Sequence, residues 1–306
     1  MPDKNTMYSR MLIPLDGSQT AENVLPYARL LARTLQIPVE LMEVIDIAGV
    51  ATHISAQKGR HLDTLMAELE HKSEDYLKKV AESFSGVSVT CTVEKGRPEN
   101  AIIEKAAPDK RAFIAMATHG RSGISRWLLG SIAEKVLRGA QNPLLLVRAS
   151  EEGQTEGEAN IKSIIVPLDG SELAESVLPT AVSVARLLKL EVVLLRAYEL
   201  PAAAYYGNED YLPNYEALKS LGKEEVQAYL DAKAAAIKAS GLEKVSAVLL
   251  EGPGPNEIIG YARQIPNALV AMCTHGRSGV QRWVLGSVTE KVVRHSGDPV
   301  LVVRAG

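Results

Sequence analysis

Residues 117–131 contain Ala117-Thr-His-Gly-Arg-Ser-Gly123 and, two residues later, Arg126-Trp-Leu-Leu-Gly-Ser131. Nearly the same loop returns 156 residues further on, as Cys273-Thr-His-Gly-Arg-Ser-Gly279 and Arg282-Trp-Val-Leu-Gly-Ser287. A glycine-rich loop that occurs twice indicates that one domain has been repeated. The two copies can therefore be compared position by position.

Both ends of the repeat also recur. Ile13-Pro-Leu-Asp-Gly-Ser18 returns as Val166-Pro-Leu-Asp-Gly-Ser171, and Asn142-Pro-Leu-Leu-Leu-Val-Arg148 returns as Asp298-Pro-Val-Leu-Val-Val-Arg304. Between the copies, residues 150–160 are acidic and include no large apolar side chain. Such a segment cannot pack into a core and is typical of a linker. We therefore expect domains at residues 1–149 and 161–306, joined by an acidic linker at 150–160.

The composition narrows the class of protein. The formal net charge of the 306 residues is −3, and charges of both signs are spread along the chain. Neither a nucleic-acid partner nor a membrane partner is expected, because basic patches and long apolar runs are both missing from the sequence. The start of the chain lacks the apolar core of a signal peptide, so we expect a cytoplasmic protein. Cys91 and Cys273 occupy non-equivalent places in the two copies, which predicts reduced, buried thiols.

Each copy alternates short apolar runs with stretches of helical periodicity. Ala112-Phe-Ile-Ala-Met116 and Ala268-Leu-Val-Ala-Met272 are examples of the apolar runs. Continuous apolar strands that alternate with helices predict an α/β fold with a parallel sheet covered on both faces. Right-handed crossovers then give two copies of an open, doubly wound layer with a five-stranded parallel sheet. Ligands of such sheets bind beyond the carboxyl ends of the strands.

The repeated loop carries the chemistry expected at that edge. Gly120 and Gly130 bracket it in the first copy, and a helix is predicted to start at Ser131. Glycine lets backbone amides approach an anion, and the start of a helix favours negative charge, so the loop suits a phosphate group. Ser131 and Glu134 also fit a capping box, in which the serine only completes the start of the helix. Both interpretations remain open at this point.

Other polar residues at the same edge have weaker signals. Asp16 and Asp169 could bind a ribose hydroxyl or an adenine amino group, or could simply cap the next helix. His119 and His275 lack the repeated serine and aspartate partners of a triad, so a structural role in the loop is favoured. The loop arginines, which could reach phosphate oxygens, are Arg121, Arg126, Arg277 and Arg282.

The motifs together resemble the universal stress protein family in its tandem form. The resemblance rests on Pro-x-Asp after the first strand, Thr-His-Gly-x9-Gly-Ser after the fourth, and the closing apolar strand. It implies an adenine-nucleotide alpha-hydrolase-like fold with strand order 3-2-1-4-5 in each copy. It also implies binding of ATP or AMP with Mg²⁺ or Mn²⁺ near the phosphates, with at most slow ATP hydrolysis. Many members of this family act as regulators that sense nucleotide under stress.

The resemblance implies binding residues in both copies. In the first copy these are Pro14, Leu15, Asp16, Val44, Met116, Ala117, His119, Gly120, Gly130, Ser131, Ile132 and Ala133. In the second copy they are Pro167, Leu168, Asp169, Ala197, Met272, Cys273, His275, Gly276, Gly286, Ser287, Val288 and Thr289. The sequence departs from the family motif at its first glycine, which is Ala117 in one copy and Cys273 in the other. An added side chain there could crowd the ligand or strain the backbone.

Two functions follow from these observations. The first is a tandem adenine-nucleotide-binding stress regulator with an unknown regulatory protein partner. The second is an interaction or scaffold protein that keeps the fold and has lost the ligand. An enzyme such as an ATPase ranks below both, because no general base besides the loop histidines is evident. The closing strands predict that the copies pack as an internal pseudo-dimer, and the same edge offers a homodimer contact between chains.

Overall fold

The computed structural model describes residues 7–47, 62–119, 129–149, 153–199, 215–274 and 285–304. The chain divides into two compact units, Met1–Asn160 and Ile161–Gly306. Each unit is an α/β layer built on five parallel strands. The predicted fold class is therefore confirmed in both copies.

The first unit alternates strands and helices along the chain. Its described elements are β1 (Arg10–Leu15), α1 (Gln19–Glu22), α2 (Leu25–Leu35), β2 (Val39–Ile45), α3 (Leu62–Ala81), β3 (Val89–Lys95), α4 (Pro98–Ala106), β4 (Ala112–Ala117), α5 (Ser131–Gly139) and β5 (Leu144–Val147). The strands lie in the order β3-β2-β1-β4-β5. Every neighbouring pair in this series is parallel.

The second unit repeats this arrangement. Its described elements are β6 (Ser163–Pro167), α6 (Glu172–Glu175), α7 (Leu178–Leu188), β7 (Glu191–Tyr198), α8 (Tyr215–Ala239), β8 (Val245–Glu251), α9 (Gly254–Gln264), β9 (Ala268–Cys273), α10 (Ser287–His295) and β10 (Val300–Val303). The strands lie in the order β8-β7-β6-β9-β10, again with parallel pairs. Renumbered within each unit, both orders read 3-2-1-4-5, as predicted.

Burial explains why the central strands are continuous apolar runs. All residues of β4 and of β9 are buried, because helices cover both faces of the sheet. The outer strand β3 is only partly covered, and Cys91 on it is exposed whereas Cys273 at the end of β9 is buried. The expectation of two buried thiols is therefore wrong for Cys91, because it did not allow for the exposed edge of the sheet.

The segment predicted to be a linker packs on the first unit, and we call residues 153–160 the strap. The buried Arg29 of α2 donates from Nε to the carbonyl oxygen of Gly157 at 2.6 Å, and from Nη2 to that of Thr155. The backbone N–H of Ala159 donates to the carbonyl oxygen of Pro26 at 3.1 Å. The expectation that this segment cannot pack is wrong, because its backbone groups bind Arg29 and Pro26 although it has no large apolar side chain.

The Arg29 contact belongs to the first unit alone. Aligning the two copies at the Asp-Gly-Ser turns places Val182 of α7 at the position of Arg29. Valine offers no hydrogen-bond donor on its side chain. The two units therefore differ at this face although their sheets have the same order.

A second difference lies at the start of the closing strand. In the first unit, Asn142 is buried, and its Nδ2 donates to the carbonyl oxygens of Ala106 at 3.3 Å, Asp109 at 2.8 Å and Ala112 at 3.0 Å. These bonds connect the end of α4 and the start of β4 to the residue that precedes β5. One amide group thus fastens three pieces of backbone.

The second unit has Asp298 at this position. Burial raises the pKa of Asp298 to about 6, while the hydroxyl of Ser296 and the charge of Arg263 act in the opposite direction. An ionised carboxylate has no hydrogen to donate to carbonyl oxygens. The protonated form of Asp298 is therefore favoured at its position more than it would be in water.

Candidate functional site

The first part of the site is the turn that follows β1. Oδ1 of Asp16 accepts hydrogen bonds from the backbone N–H of Ser18 at 3.0 Å and from its hydroxyl at 2.5 Å. Gly17 between them has a φ of 76°, a left-handed conformation that glycine adopts without strain. The Ser18 hydroxyl oxygen in turn accepts from the N–H of Ala21 at 3.2 Å and caps α1. The Asp16 carboxylate is thereby fixed at the carboxyl edge of the sheet.

The second unit builds the same turn. Oδ1 of Asp169 accepts from the N–H of Ser171 at 2.9 Å and from its hydroxyl at 2.6 Å. Ser171 caps α6 through the N–H of Ala174 at 3.2 Å. The helix cap is therefore Ser18 or Ser171 and not the aspartate, and the serine orients each Asp carboxylate by donating to it.

The second part of the site is the start of the helix after the glycine-rich loop. Helix α5 starts at Ser131 with Gly130 as its N-cap, and no side chain hydrogen-bonds to that cap. Oε1 of Glu134 accepts instead from Nε of Arg138, one turn further along the helix, at 3.2 Å. The capping-box alternative is therefore wrong for this serine, because Ser131 lies inside the helix rather than before it.

The helix of the second unit starts in the same way. Gly286 is the N-cap of α10, no side chain caps it, and Glu290 accepts from Arg294 at 3.0 Å. The first amides of a helix lack intrahelical partners and carry partial positive charge. Both units therefore present a helix start that suits an anion, at the same edge of the sheet as the Asp turn.

Close packing explains the glycine at this helix start. The N–H of Gly130 donates to the carbonyl oxygen of Thr118 at 2.9 Å, and a Cβ added to Gly130 would lie 2.7 Å from that oxygen. The N–H of Gly286 donates to the carbonyl oxygen of Thr274 at 2.8 Å. Only a residue without Cβ allows the helix start to approach the strand end this closely.

A known family model matches the parts of the chain that contain these residues. The model of the Universal stress protein family matches the chain twice, over residues 7–148 and 160–304. These two matches span the two units and include both Asp turns and both helix starts.

The chain belongs to the universal stress protein family. A universal stress protein of Methanocaldococcus jannaschii is 30% identical over 142 residues, which cover 46% of this chain and 83% of the relative. One of Mycolicibacterium smegmatis is 22% identical over 302 residues, 96% of each chain. The crystal structure of a universal stress protein from Archaeoglobus fulgidus has a TM-score of 0.72 at 23% identity and covers 99% of this chain and 100% of that chain. This last similarity shows the shared fold.

This universal stress protein departs from the family motif at Ala117 and Cys273, and the structure shows where their side chains lie. Both residues end buried strands, and neither is among the described residues with a positive φ. Sγ of Cys273 accepts a hydrogen bond from the hydroxyl of Ser176 at 3.3 Å, just after α6. The expected backbone strain is therefore absent at both positions, since an extended strand accommodates any side chain.

The structure brings the described candidate residues together along the carboxyl edge of each sheet. Gly120, His275 and Gly276 lie outside the described residues, as do the four loop arginines. The candidates buried in the two units are Leu15, Met116, Ala117, Ala133, Pro167, Leu168, Met272, Cys273 and Thr289. Those that retain exposure are Pro14, Asp16, Val44, His119, Gly130, Ser131, Ile132, Asp169, Ala197, Gly286, Ser287 and Val288.

Two exposed candidates are large apolar residues at equivalent places. Ile132 and Val288 follow the first residue of α5 and α10, and their exposed fractions are 36% and 38%. By contrast, the hydroxyl of the buried Thr289 donates to the carbonyl oxygen of Cys273 at 2.8 Å, so this side chain serves the fold. Each helix start thus combines amide donors with an apolar side chain open to a ligand.

The loop histidine of the first unit is held by its neighbour. Nδ1 of His119 lies 3.1 Å from the hydroxyl of the buried Thr118, which also accepts from the N–H of Ala149 at 3.1 Å. A histidine held in this way is positioned by the strand end, which agrees with a structural role in the loop.

Each unit also has a tyrosine–glutamate pair that the sequence motifs did not indicate. The hydroxyl of Tyr76 in α3 donates to Oε1 of Glu22 in α1 at 3.0 Å, and that of Tyr229 in α8 donates to Oε1 of Glu175 in α6 at 2.8 Å. Burial, followed by the neighbouring carboxylates, raises the pKa of Tyr76. Each pair ties the short helix after the Asp turn to the long helix. Both residues recur at the offset of the Asp-Gly-Ser turns, and this was the signal that could have revealed them.

Two features of the described residues concern membrane and metal partners. No helix in the described ranges has both the length and the apolar character that a membrane crossing requires. Within the same residues, no group of three or more histidine, cysteine, aspartate or glutamate side chains is placed to hold a metal ion.

Proposed function

We propose that this universal stress protein binds an adenine nucleotide, ATP or AMP, at one site in each unit and acts as a regulator that responds to nucleotide. The observation that carries the proposal is the pairing of two features in both units. An uncapped helix start faces the edge of the sheet where a carboxylate is fixed by its own turn. The helix start suits a phosphate and the carboxylate suits a hydroxyl or amino donor.

The residues present fit such a ligand by position and by chemistry. Asp16 and Asp169 would accept hydrogen bonds from the ribose, and the amides at Ser131 and Ser287 would donate to phosphate oxygens. Ile132 and Val288 would cover an apolar part of the ligand. The close approach at Gly130 keeps the helix start against the strand end. A nucleotide uses all of these groups, whereas a simple anion would use only the amides.

A divalent cation would accompany the phosphates. Mg²⁺ typically keeps several water ligands and takes the rest from phosphate oxygens and one or two carboxylates, so a site of this kind requires no dedicated protein cluster. Because Asp16 and Asp169 are assigned to the ribose, the cation would be held by phosphate oxygens and water. Mn²⁺ accepts the same ligands.

The experiment is a calorimetric titration of ATP and of AMP, each with Mg²⁺, into the full chain and into Asp16→Ala and Asp169→Ala variants. We expect two binding events in the parent chain and the loss of one in each variant. Asp16→Asn is the matched control for the fold, because its amide oxygen can still accept from Ser18 while the charge is removed. Mass spectrometry of ligand released on denaturation would identify a nucleotide that is carried through purification.

The opposite result would leave the scaffold function. If no nucleotide is released and neither ATP nor AMP produces heat, the chain works through its surfaces without a ligand. We also propose that the closing strand is a contact between chains. Analytical ultracentrifugation of the full chain tests this contact.

A further inference from the structure

The tyrosine–glutamate pairs lie in different electrostatic surroundings in the two units, although burial and the paired glutamate raise the pKa of both tyrosines. In the first unit, the position before the candidate residue Val44 is Glu43, a buried carboxylate whose Cα pairs with that of Leu15 across the sheet. Burial raises the pKa of Tyr76, and the carboxylates of Glu22, Glu43 and Asp16 raise it further. Three carboxylates therefore act on this side chain next to the Asp turn.

In the second unit, a cation replaces Glu43. Arg196 precedes the candidate residue Ala197, and its guanidinium lies 5.1 Å from the centre of the Tyr229 ring. Nζ of Lys233 lies 2.6 Å from Oε2 of Glu175 and 5.6 Å from the same ring centre. Here two cations lie beside the Tyr229 ring, and one of them pairs with Glu175.

The two residues of opposite charge occupy equivalent positions in the two copies. Glu43 and Arg196 align when the Asp-Gly-Ser turns are superposed in sequence, and each acts on the tyrosine of the long helix above it. In the first unit Arg29 also acts on Glu22, and its guanidinium is bound to strap carbonyls. The two units thus carry residues of opposite charge at Glu43 and Arg196, beside Asp turns that have the same hydrogen bonds.

We propose that Glu43 and Arg196 make the two sites unequal in the ligand charge they accept, so that the second site favours polyphosphorylated nucleotides and the first favours adenosine or AMP. The inference rests on the proposed function. The physical reason is that charges near a protein surface interact at an effective dielectric constant of about 20 and are screened by salt beyond about 10 Å. ATP carries several negative charges and adenosine carries none, so their affinity ratio isolates this effect from the shape of the base pocket.

The experiment measures that ratio one site at a time in the full chain. Asp169→Ala leaves the first site intact, and Asp16→Ala leaves the second. Adenosine and metal-free ATP are titrated into each, at low and at high salt. We expect the ATP-to-adenosine affinity ratio to be higher at the second site, and to fall with salt there.

Charge-neutral variants then test the named residues. Glu43→Gln in the Asp169→Ala chain should raise the ratio at the first site by about threefold to tenfold, and Arg196→Gln in the Asp16→Ala chain should lower it at the second by a similar factor. Glu40→Gln is the matched control, because it removes the same charge from the other end of β2, where Glu40 pairs with Arg10 and Lys105. It should leave the ratio unchanged.

The outcomes separate this inference from the proposed function. If neither adenosine nor ATP binds either site, the proposed function fails and the inference fails with it. If both bind with equal ratios, or if the Glu43 and Arg196 variants behave like the control, the inference alone is overturned. Should Arg196→Gln unfold the second unit, Lys233→Met removes a positive charge from a partly exposed position and must shift the ratio in the same direction.

Discussion

Asp298 at the start of β10 offers a sharp test of the packing in the second unit. In the first unit, Asn142 donates three hydrogen bonds to backbone carbonyls from the equivalent position. The corresponding carbonyls of the second unit belong to Ala262, Ile265 and Ala268, and an ionised Asp298 has no hydrogen to give them. We expect Asp298→Asn to stabilise the second unit at neutral pH.

The magnitude follows from the pKa of Asp298. Burial raises it from 3.8 to about 6, and one pKa unit corresponds to about 1.4 kcal/mol, so ionisation in the folded state costs about 3 kcal/mol. The side chain is only about half-buried, so screening by solvent reduces this figure to about 1 to 2 kcal/mol. Asparagine avoids that cost and adds donors.

The raised pKa of Asp298 also determines the direction in which stability changes with pH. Between about pH 4 and 6 the folded state binds the proton on Asp298 and the unfolded state does not. The free energy of unfolding of the parent chain should therefore fall as pH rises through this window, relative to the variant. The advantage of Asp298→Asn is full above about pH 7 and decreases towards pH 4, as the parent carboxylate becomes protonated.

The assay is hydrogen exchange, followed by mass spectrometry, of the amides of β10 and α9 at pH 5 and pH 7.5, with denaturant unfolding of the full chain beside it. Asn142→Asp is the matched control, because it should transfer the same cost and the same pH dependence to the first unit. Equal stability of Asp298→Asn and the parent at pH 7.5, or a gain that does not change with pH, would refute the reasoning.

Two further substitutions test contacts that the fold depends on. Arg29→Ala should destabilise the first unit by about 2 to 4 kcal/mol, because charged hydrogen bonds and a buried side chain are lost. The same change should expose the strap amides to hydrogen exchange. Substitution of the more exposed Arg33 is the control, because its ion pair with Glu158 is worth less than about 1 kcal/mol. Gly130→Ala should cost about 1 to 3 kcal/mol in urea unfolding and weaken ligand binding at the first site, since the new Cβ meets the Thr118 carbonyl oxygen. Gly260→Ala, in the interior of α9 with open space around it, should instead stabilise by up to about 1 kcal/mol, and equal effects of the two glycine variants would contradict the packing argument.

The order of elements was predictable because the physical signals are local. Buried parallel strands must be continuous apolar runs, and β4 and β9 read that way in the sequence. The position of Asp16 at the edge of the sheet follows from the turn residues beside it, whose φ angles and hydrogen bonds are dictated by Gly17 and Ser18. The repeat strengthened each prediction, because two copies had to agree.

Other features depend on tertiary contacts that the sequence of a single copy does not indicate. The capping-box pattern at Ser131 is compatible with two helix starts one residue apart, and the choice between them is made by the approach of Gly130 to Thr118, a tertiary contact. The strap binds Arg29 through backbone carbonyls, which every residue has, so its composition predicted a linker. The Tyr76–Glu22 pair could have been predicted from the sequence, because both residues recur at the same offset in the second copy.

The Arg29 contact has a consequence for dividing or rearranging the chain. The Arg29 guanidinium binds carbonyl oxygens of residues 153–160, and the second copy has Val182 at that position. The two halves are thus not interchangeable at this face. Exchanging the order of the two halves would separate Arg29 from the carbonyl oxygens that it binds. Val182 could not bind those oxygens, because its side chain has no hydrogen-bond donor. Separate expression of the first half should accordingly extend to Asn160, since ending it at residue 149 would leave the buried Arg29 with the Ser83 hydroxyl but without its two carbonyl acceptors.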